Sequence, residues 1–135
     1  MYRPLRIDLC GRKKLHRLIK NKTNMKRYGQ IIGIKPDRIA VYKQLHAAVW
    51  PAVLKQIAAS NIQNYSIYLL EDGENSKLFA YMEYYGDDYA GDMAKMAADP
   101  MTQEWWAICA PMQVPLPGNA PDEHWRTMEE VFHQA

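Results

Sequence analysis

The stretch 27–35 (Arg-Tyr-Gly-Gln-Ile-Ile-Gly-Ile-Lys) predicts a first strand. Pro36-Asp37 then starts a helix, because Pro suits a first helical turn and an early acid complements the helix dipole. Ile39, Leu45, Val49, Val53 and Ile57 keep a helical rhythm to about Ala59, a spacing that gathers apolar side chains on one face. Pro51 lies inside this run. Its ring removes a hydrogen bond and clashes with the preceding turn, so it must bend the helix or begin a second segment. Asn61 is a natural stop.

Ile62 to Leu70 alternates and is rich in strand-forming residues, which predicts a second strand. A turn cluster, Glu71-Asp72-Gly73-Glu74-Asn75-Ser76, leads into a third strand from Lys77 to Tyr85 and closes a hairpin. Asp87-Asp88 opens a helix to about Ala98, Asp99-Pro100 interrupts, and a further helix covers Thr102 to roughly Ala110. A loop with Pro111, Pro115, Pro117 and Pro121 precedes a final strand from Trp125 to Phe132. The order is β-α-β-β-α-β, the ferredoxin-like arrangement of an α+β domain, whose expected form is an antiparallel four-stranded sheet with its helices on one face. The chain is too short to cover the other face well, so a homodimer through the sheets is expected.

With 135 residues, 48% of them hydrophobic and 24% charged, the chain suits a single globular domain. No apolar run is long enough to span a bilayer as a helix. Cys10 and Cys109 are too few for a disulfide framework, which fits a reducing, cytoplasmic setting. The net charge of +2 hides an asymmetry. Residues 1–24 carry eight basic side chains against Asp8 alone, leaving nine basic and fourteen acidic ones for the rest. The remainder, 25–135, is therefore an acidic domain with no basic stripe for nucleic acid. The basic segment is expected to be a disordered extension, with Met25 opening the folded domain. It lacks the apolar core of a secretory signal and the serines common in transit peptides.

The candidate chemistry centres on 42–51 (Tyr-Lys-Gln-Leu-His-Ala-Ala-Val-Trp-Pro). In a continuous helix Tyr42, His46 and Trp50 fall at i, i+4 and i+8 on one face. That face would carry a group able to move protons near pH 7 between two flat rings. Such a stripe more commonly packs in a core. Trp105-Trp106 is a second constellation: neighbours on a helix point about 100° apart, so one ring can pack while the other meets a ligand. In Asn64-Tyr65-Ser66-Ile67-Tyr68, alternation sets Tyr65 and Ile67 on one sheet face and Ser66 and Tyr68 on the other. His124 and His133 suit solvated or structural roles. Cys109 reads as buried rather than reactive. Glu83, Asp87, Asp88 and Asp92 lack a His at metal spacing and fit a strand end and a helix N-terminus. No phosphate-binding glycine loop or serine nucleophile elbow is present.

From Met25 on, the chain resembles the L-rhamnose mutarotase family of dimeric α+β barrel proteins. The matching stretches are Lys26-Arg27-Tyr28-Gly29, Tyr42-Lys43-Gln44-Leu45-His46 with Val49-Trp50-Pro51, Asn64-Tyr65-Ser66-Ile67-Tyr68-Leu69, Gln103-Glu104-Trp105-Trp106 and Met128-Glu129-Glu130-Val131-Phe132. The resemblance implies an isomerase that interconverts α and β anomers of L-rhamnose by general acid–base catalysis, without metal or cofactor. It places the catalytic histidine on His46 and sugar contacts on Tyr42, Tyr65, Trp105 and Trp106, and leaves Trp50 as scaffold. Some members carry Asn-Pro after the histidine and Glu after Trp-Pro, where this chain has Ala47-Ala48 and Ala52. A mutarotase for L-fucose, a non-catalytic binding module and a haem-degrading or cofactor-free monooxygenase are alternatives compatible with the same architecture.

Overall fold

The computed structural model describes residues 25–135; the basic segment 1–24, with Cys10, lies outside the described residues. Strand β1 is Lys26–Ile34, β2 is Ile62–Leu70 and β3 is Lys77–Tyr84. β1 and β2 both pair antiparallel with β3. The sheet order is β2-β3-β1, and the outer edge of β1 takes two short strands. β4 (Gln113–Val114) pairs with Gly33 and Ile34, and β5 (Arg126–Met128) pairs with Gly29 to Ile31. The fourth place in the sheet is therefore split. The reason lies in the intervening loop, where Pro115, Pro117 and Pro121 have no N–H to give a ladder. The expected final strand Trp125–Phe132 is accordingly shorter, and β4 lies where a loop was expected. Among the described residues, no helix is long and apolar enough to cross a membrane.

The first helical region is two helices rather than one bent helix. A 3-10 turn, Pro36–Arg38, leads into α1 (Ile39–His46), and α2 begins at Pro51 and ends at Ala59. Trp50 has the extended geometry (φ −58°, ψ 132°) that a following proline favours. This breaks the proposed Tyr42/His46/Trp50 stripe: only the first two share a helix. The other pair is α3 (Tyr89–Ala98) and α4 (Pro100–Cys109). Asp88 and Asp99 cap them by accepting from Gly91 N at 3.0 Å and Thr102 N at 2.9 Å. The Asp99-Pro100 interruption is thus the start of α4, two residues earlier than expected.

β2 contains the irregularity that positions Tyr65. Ile62 and Ile67 are five residues apart, so a regular strand would send them to opposite faces. A bulge between Gln63 and Ser66, with Asn64 at φ +48°, absorbs one residue. Ile62 then packs with Met82 and Tyr84, while Ile67 reaches the main core. Tyr65 falls on the same face as Ile67.

The helices cover this face. Ile32, Ile34 and Leu78 from the sheet meet Ile39, Tyr42, Val53, Trp105 and Cys109 from the helices. On the opposite face Ile31, Phe79 and Tyr81 are half-buried, and Tyr68, Leu70, Val114 and Met128 are exposed, Tyr68 by 66%.

Candidate active site

α1 presents Tyr42 and His46 one turn apart on its inner side. Tyr42 is buried and its ring stacks on the His46 imidazole, with centroids 4.0 Å apart and planes inclined by 22°. His46 Nδ1 lies 2.8 Å from the Tyr42 carbonyl oxygen. A carbonyl only accepts, so the neutral ring carries its proton on Nδ1 and leaves Nε2 as a lone-pair acceptor. Burial lowers the His46 pKa below the usual histidine value, and the bond to the carbonyl offsets this only in part. The ring is therefore neutral at pH 7 and equipped to take a proton.

Beside these two groups is a cavity of about 120 Å³ lined by Tyr42, Lys43 and His46 from α1 and by Ile34, Ile39, Ile67, Leu69 and Leu78. Its floor is aliphatic and its polar groups stand along one wall. A larger recess of about 340 Å³ lies within the loop from Pro115 to His124. It is open, has no aromatic wall and contains none of the sequence-derived candidates except the neighbourhood of His124, so the smaller cavity is the better site.

The remaining candidates divide. Trp105 is buried on α4 and is in edge-on contact with the His46 ring at 5.3 Å and with Trp50 at 5.2 Å. Trp50, at the start of α2, is thus scaffold that steadies Trp105. Trp106 is 41% exposed and does not line the cavity. Tyr65 is also 41% exposed, but its hydroxyl end is desolvated, which pushes the phenol up to about 12. Tyr42 is raised as well, chiefly by burial, and lies within electrostatic reach of Tyr65 and Cys109. Both phenols stay protonated at neutral pH. Burial also raises the Cys109 thiol to about 11, so it is a thiol and not a nucleophile at neutral pH.

Near this site, Lys43 and Gln113 have no role assigned from the sequence, and His124 only a solvated or structural one. Lys43 sits at the cavity lip beside His46. Gln113 Nε2 donates to the Tyr42 hydroxyl at 3.2 Å, and His124 Nε2 lies 2.7 Å from Gln113 Oε1. Nothing in the local pattern singles out a glutamine between two prolines. Among the described residues, no three His, Cys, Asp or Glu side chains cluster to hold a metal ion.

The family model for L-rhamnose mutarotase matches residues 27–134. The chain belongs to the L-rhamnose mutarotase family. An L-rhamnose mutarotase of Shouchella clausii is 32% identical over 111 residues, which cover 82% of this chain and all of that protein. One of Phocaeicola vulgatus is 33% identical, covering 81% of this chain and 98% of the relative. The crystal structure of an L-rhamnose mutarotase from Formosa agariphila superposes with a TM-score of 0.62 at 24% identity, covering 82% of this chain and 99% of that one. This mutarotase-family chain thus shares the α+β fold of a solved member. Apart from Lys26, residues 27–134 take in all five matching stretches.

Proposed function

We propose that this protein interconverts the α and β anomers of L-rhamnose. In that reaction the C1–O5 bond of the pyranose breaks as O1 loses its proton and O5 gains one. The open aldehyde turns about C1–C2 and closes from the other face. Nothing is oxidised and no group is transferred. A positioned acid–base pair therefore suffices, and such groups contribute roughly 10²–10⁴-fold.

The observation that carries the reading is the neutral His46 ring beside a small aliphatic cavity, with Nδ1 engaged by the Tyr42 carbonyl. In this reading Nε2 takes the O1 proton and returns it on closure, so histidine acts first as a base. Tyr42 gives its hydroxyl proton to O5 on opening and recovers it on closure, and Tyr65 supplies a further hydroxyl to orient the sugar. Trp105 fixes the imidazole, Trp106 offers an exposed ring for stacking, and the aliphatic floor suits the 6-deoxy methyl group.

The protein is taken to be a cytoplasmic homodimer. The apolar face formed by Ile31, Phe79, Tyr68, Leu70, Val114 and Met128 supports association through the sheets. Sedimentation equilibrium tests the dimer. Saturation-transfer NMR between the two anomeric proton signals tests the activity, with L-rhamnose and L-fucose in parallel. Faster exchange for L-rhamnose is expected; no acceleration with either sugar overturns the reading.

A further inference from the structure

Tyr42 is a buried residue whose hydroxyl does not choose its own orientation. Gln113 Nε2 approaches it at 3.2 Å. An amide nitrogen has only hydrogens to offer, so the phenol oxygen accepts there and its single proton is left free. The opposite end of the same amide, Oε1, receives His124 Nε2 at 2.7 Å. With a hydrogen on His124 Nε2, that second contact sets which end of the glutamine faces Tyr42. A reversed amide would then put an NH2 group against the His124 N–H, and the Tyr42 proton would be drawn onto a carbonyl oxygen.

We propose that Gln113 and His124 are positioning residues for the reaction: together they hold the Tyr42 hydroxyl as an acceptor on one side, so that its proton is presented to the sugar. The inference rests on the reading above that the Tyr42–His46 cavity is the mutarotase site. Neither residue need touch substrate. Burial ranks the three in series, with Tyr42 buried, Gln113 half-buried and His124 exposed. The lock needs a hydrogen on His124 Nε2, which both the Nε2–H tautomer and the imidazolium carry and the Nδ1–H tautomer lacks. Its backbone anchor is β4, where Gln113 pairs with Ile34, itself part of the cavity wall. Lys35 N donates to Met112 O at 2.9 Å and fixes the same corner.

The test uses three variants in the full chain. Gln113→Glu keeps the shape of the side chain but offers oxygen to Tyr42, which captures the phenol proton. It should lower kcat for L-rhamnose anomer exchange by about tenfold or more while KM moves within about twofold. His124→Ala should lower kcat severalfold, and His124→Gln, which restores a donor at that end of the amide, should recover most of it. Because His124 is exposed, its replacement leaves the fold intact, so the proposal stands or falls on this pair even if the glutamate variant does not fold. Thermal denaturation of each variant checks this. A separate readout needs no turnover: imidazole 15N shifts of His124 should report a protonated Nε2 in the wild type and a tautomer mixture in Gln113→Ala. A wild type inactive on both sugars overturns the functional reading, with the 15N result still reporting the contact. An active wild type matched in kcat by Gln113→Glu and His124→Ala, or a His124→Gln no better than His124→Ala, overturns the positioning role.

Discussion

His46 lies flat against Tyr42, 4.0 Å between ring centroids, and gives its Nδ1 proton to the backbone carbonyl of the same residue. One residue thus supplies the surface on which the imidazole rests and the acceptor that fixes its tautomer. The arrangement needs a single helical turn, since both contacts are i to i+4. It survives because α1 remains helical through His46 before Pro51 forces the break.

The pH dependence follows from that geometry. Burial lowers the His46 pKa, so the neutral base persists below the ordinary histidine value near 6.5. The acid limb of kcat/KM for anomer exchange should therefore be centred below pH 6.5. The same shift acts on stability. As pH falls through 6.5 the unfolded chain gains a proton that the folded one resists, so folding weakens from there down to the lower folded value. An acid limb centred at or above 6.5 contradicts a buried, neutral His46.

The two tryptophans should separate cleanly. Trp105 is 6% exposed and in edge-on contact with both His46 and Trp50, so Trp105→Ala should cost about 3–5 kcal/mol of stability and lower kcat with it. Trp106→Ala should leave the melting temperature nearly unchanged and raise KM. Thermal denaturation and steady-state exchange kinetics distinguish them. A core-sized stability loss from Trp106→Ala would remove it from the sugar site.

At the far end of the sheet, Tyr84 ties α3 to β3. Its hydroxyl donates to Asp92 Oδ2 at 2.5 Å and accepts from Asp88 N at 3.1 Å, while Asn61 Nδ2 donates to the same carboxylate oxygen at 2.9 Å. The Tyr84 bond, followed by that of Asn61, holds the Asp92 carboxyl below its usual range. The stability this confers is present above the ordinary aspartate pKa and is lost as pH falls through it toward the folded value. Tyr84→Phe should cost about 1–3 kcal/mol, since Asp92 is left buried without its main donor. Exchange kinetics should not change, because this network lies apart from the cavity. Denaturant unfolding at pH 7 and at pH 3.5 measures both effects.

Gly33 marks where the split edge comes closest to β1. A methyl group built there would sit 2.7 Å from the Val114 carbonyl oxygen and 3.2 Å from its Cβ. Gly33→Ala should force β4 outward, cost about 1–3 kcal/mol and pull Gln113 away from Tyr42. A parallel fall in melting temperature and kcat is the expected outcome.

The helices and long strands were legible because each carries its own periodicity over eight or more residues. The helix break was half legible: Pro51 announced a disturbance, but only the extended backbone at Trp50 decides that it is a fresh start. The split fourth strand was not legible, because a two-residue β4 between Pro111 and Pro115 is too short to show alternation. Tyr42 and His46 stood out by their i to i+4 spacing and Trp105 by its adjacency to Trp106, and the family resemblance supplied their roles. Gln113 could not. Its part depends on a contact with Tyr42, 71 residues away in the chain, and no local pattern encodes such a pairing.

The central claim is that His46 moves the proton. Saturation-transfer NMR of the α and β anomeric protons of L-rhamnose, with wild type and His46→Ala at equal concentration and matched melting temperature, tests it most directly. Fast exchange is expected with the wild type, and exchange at the uncatalysed rate, or within about tenfold of it, with the variant. Exchange as fast in His46→Ala as in the wild type would contradict it.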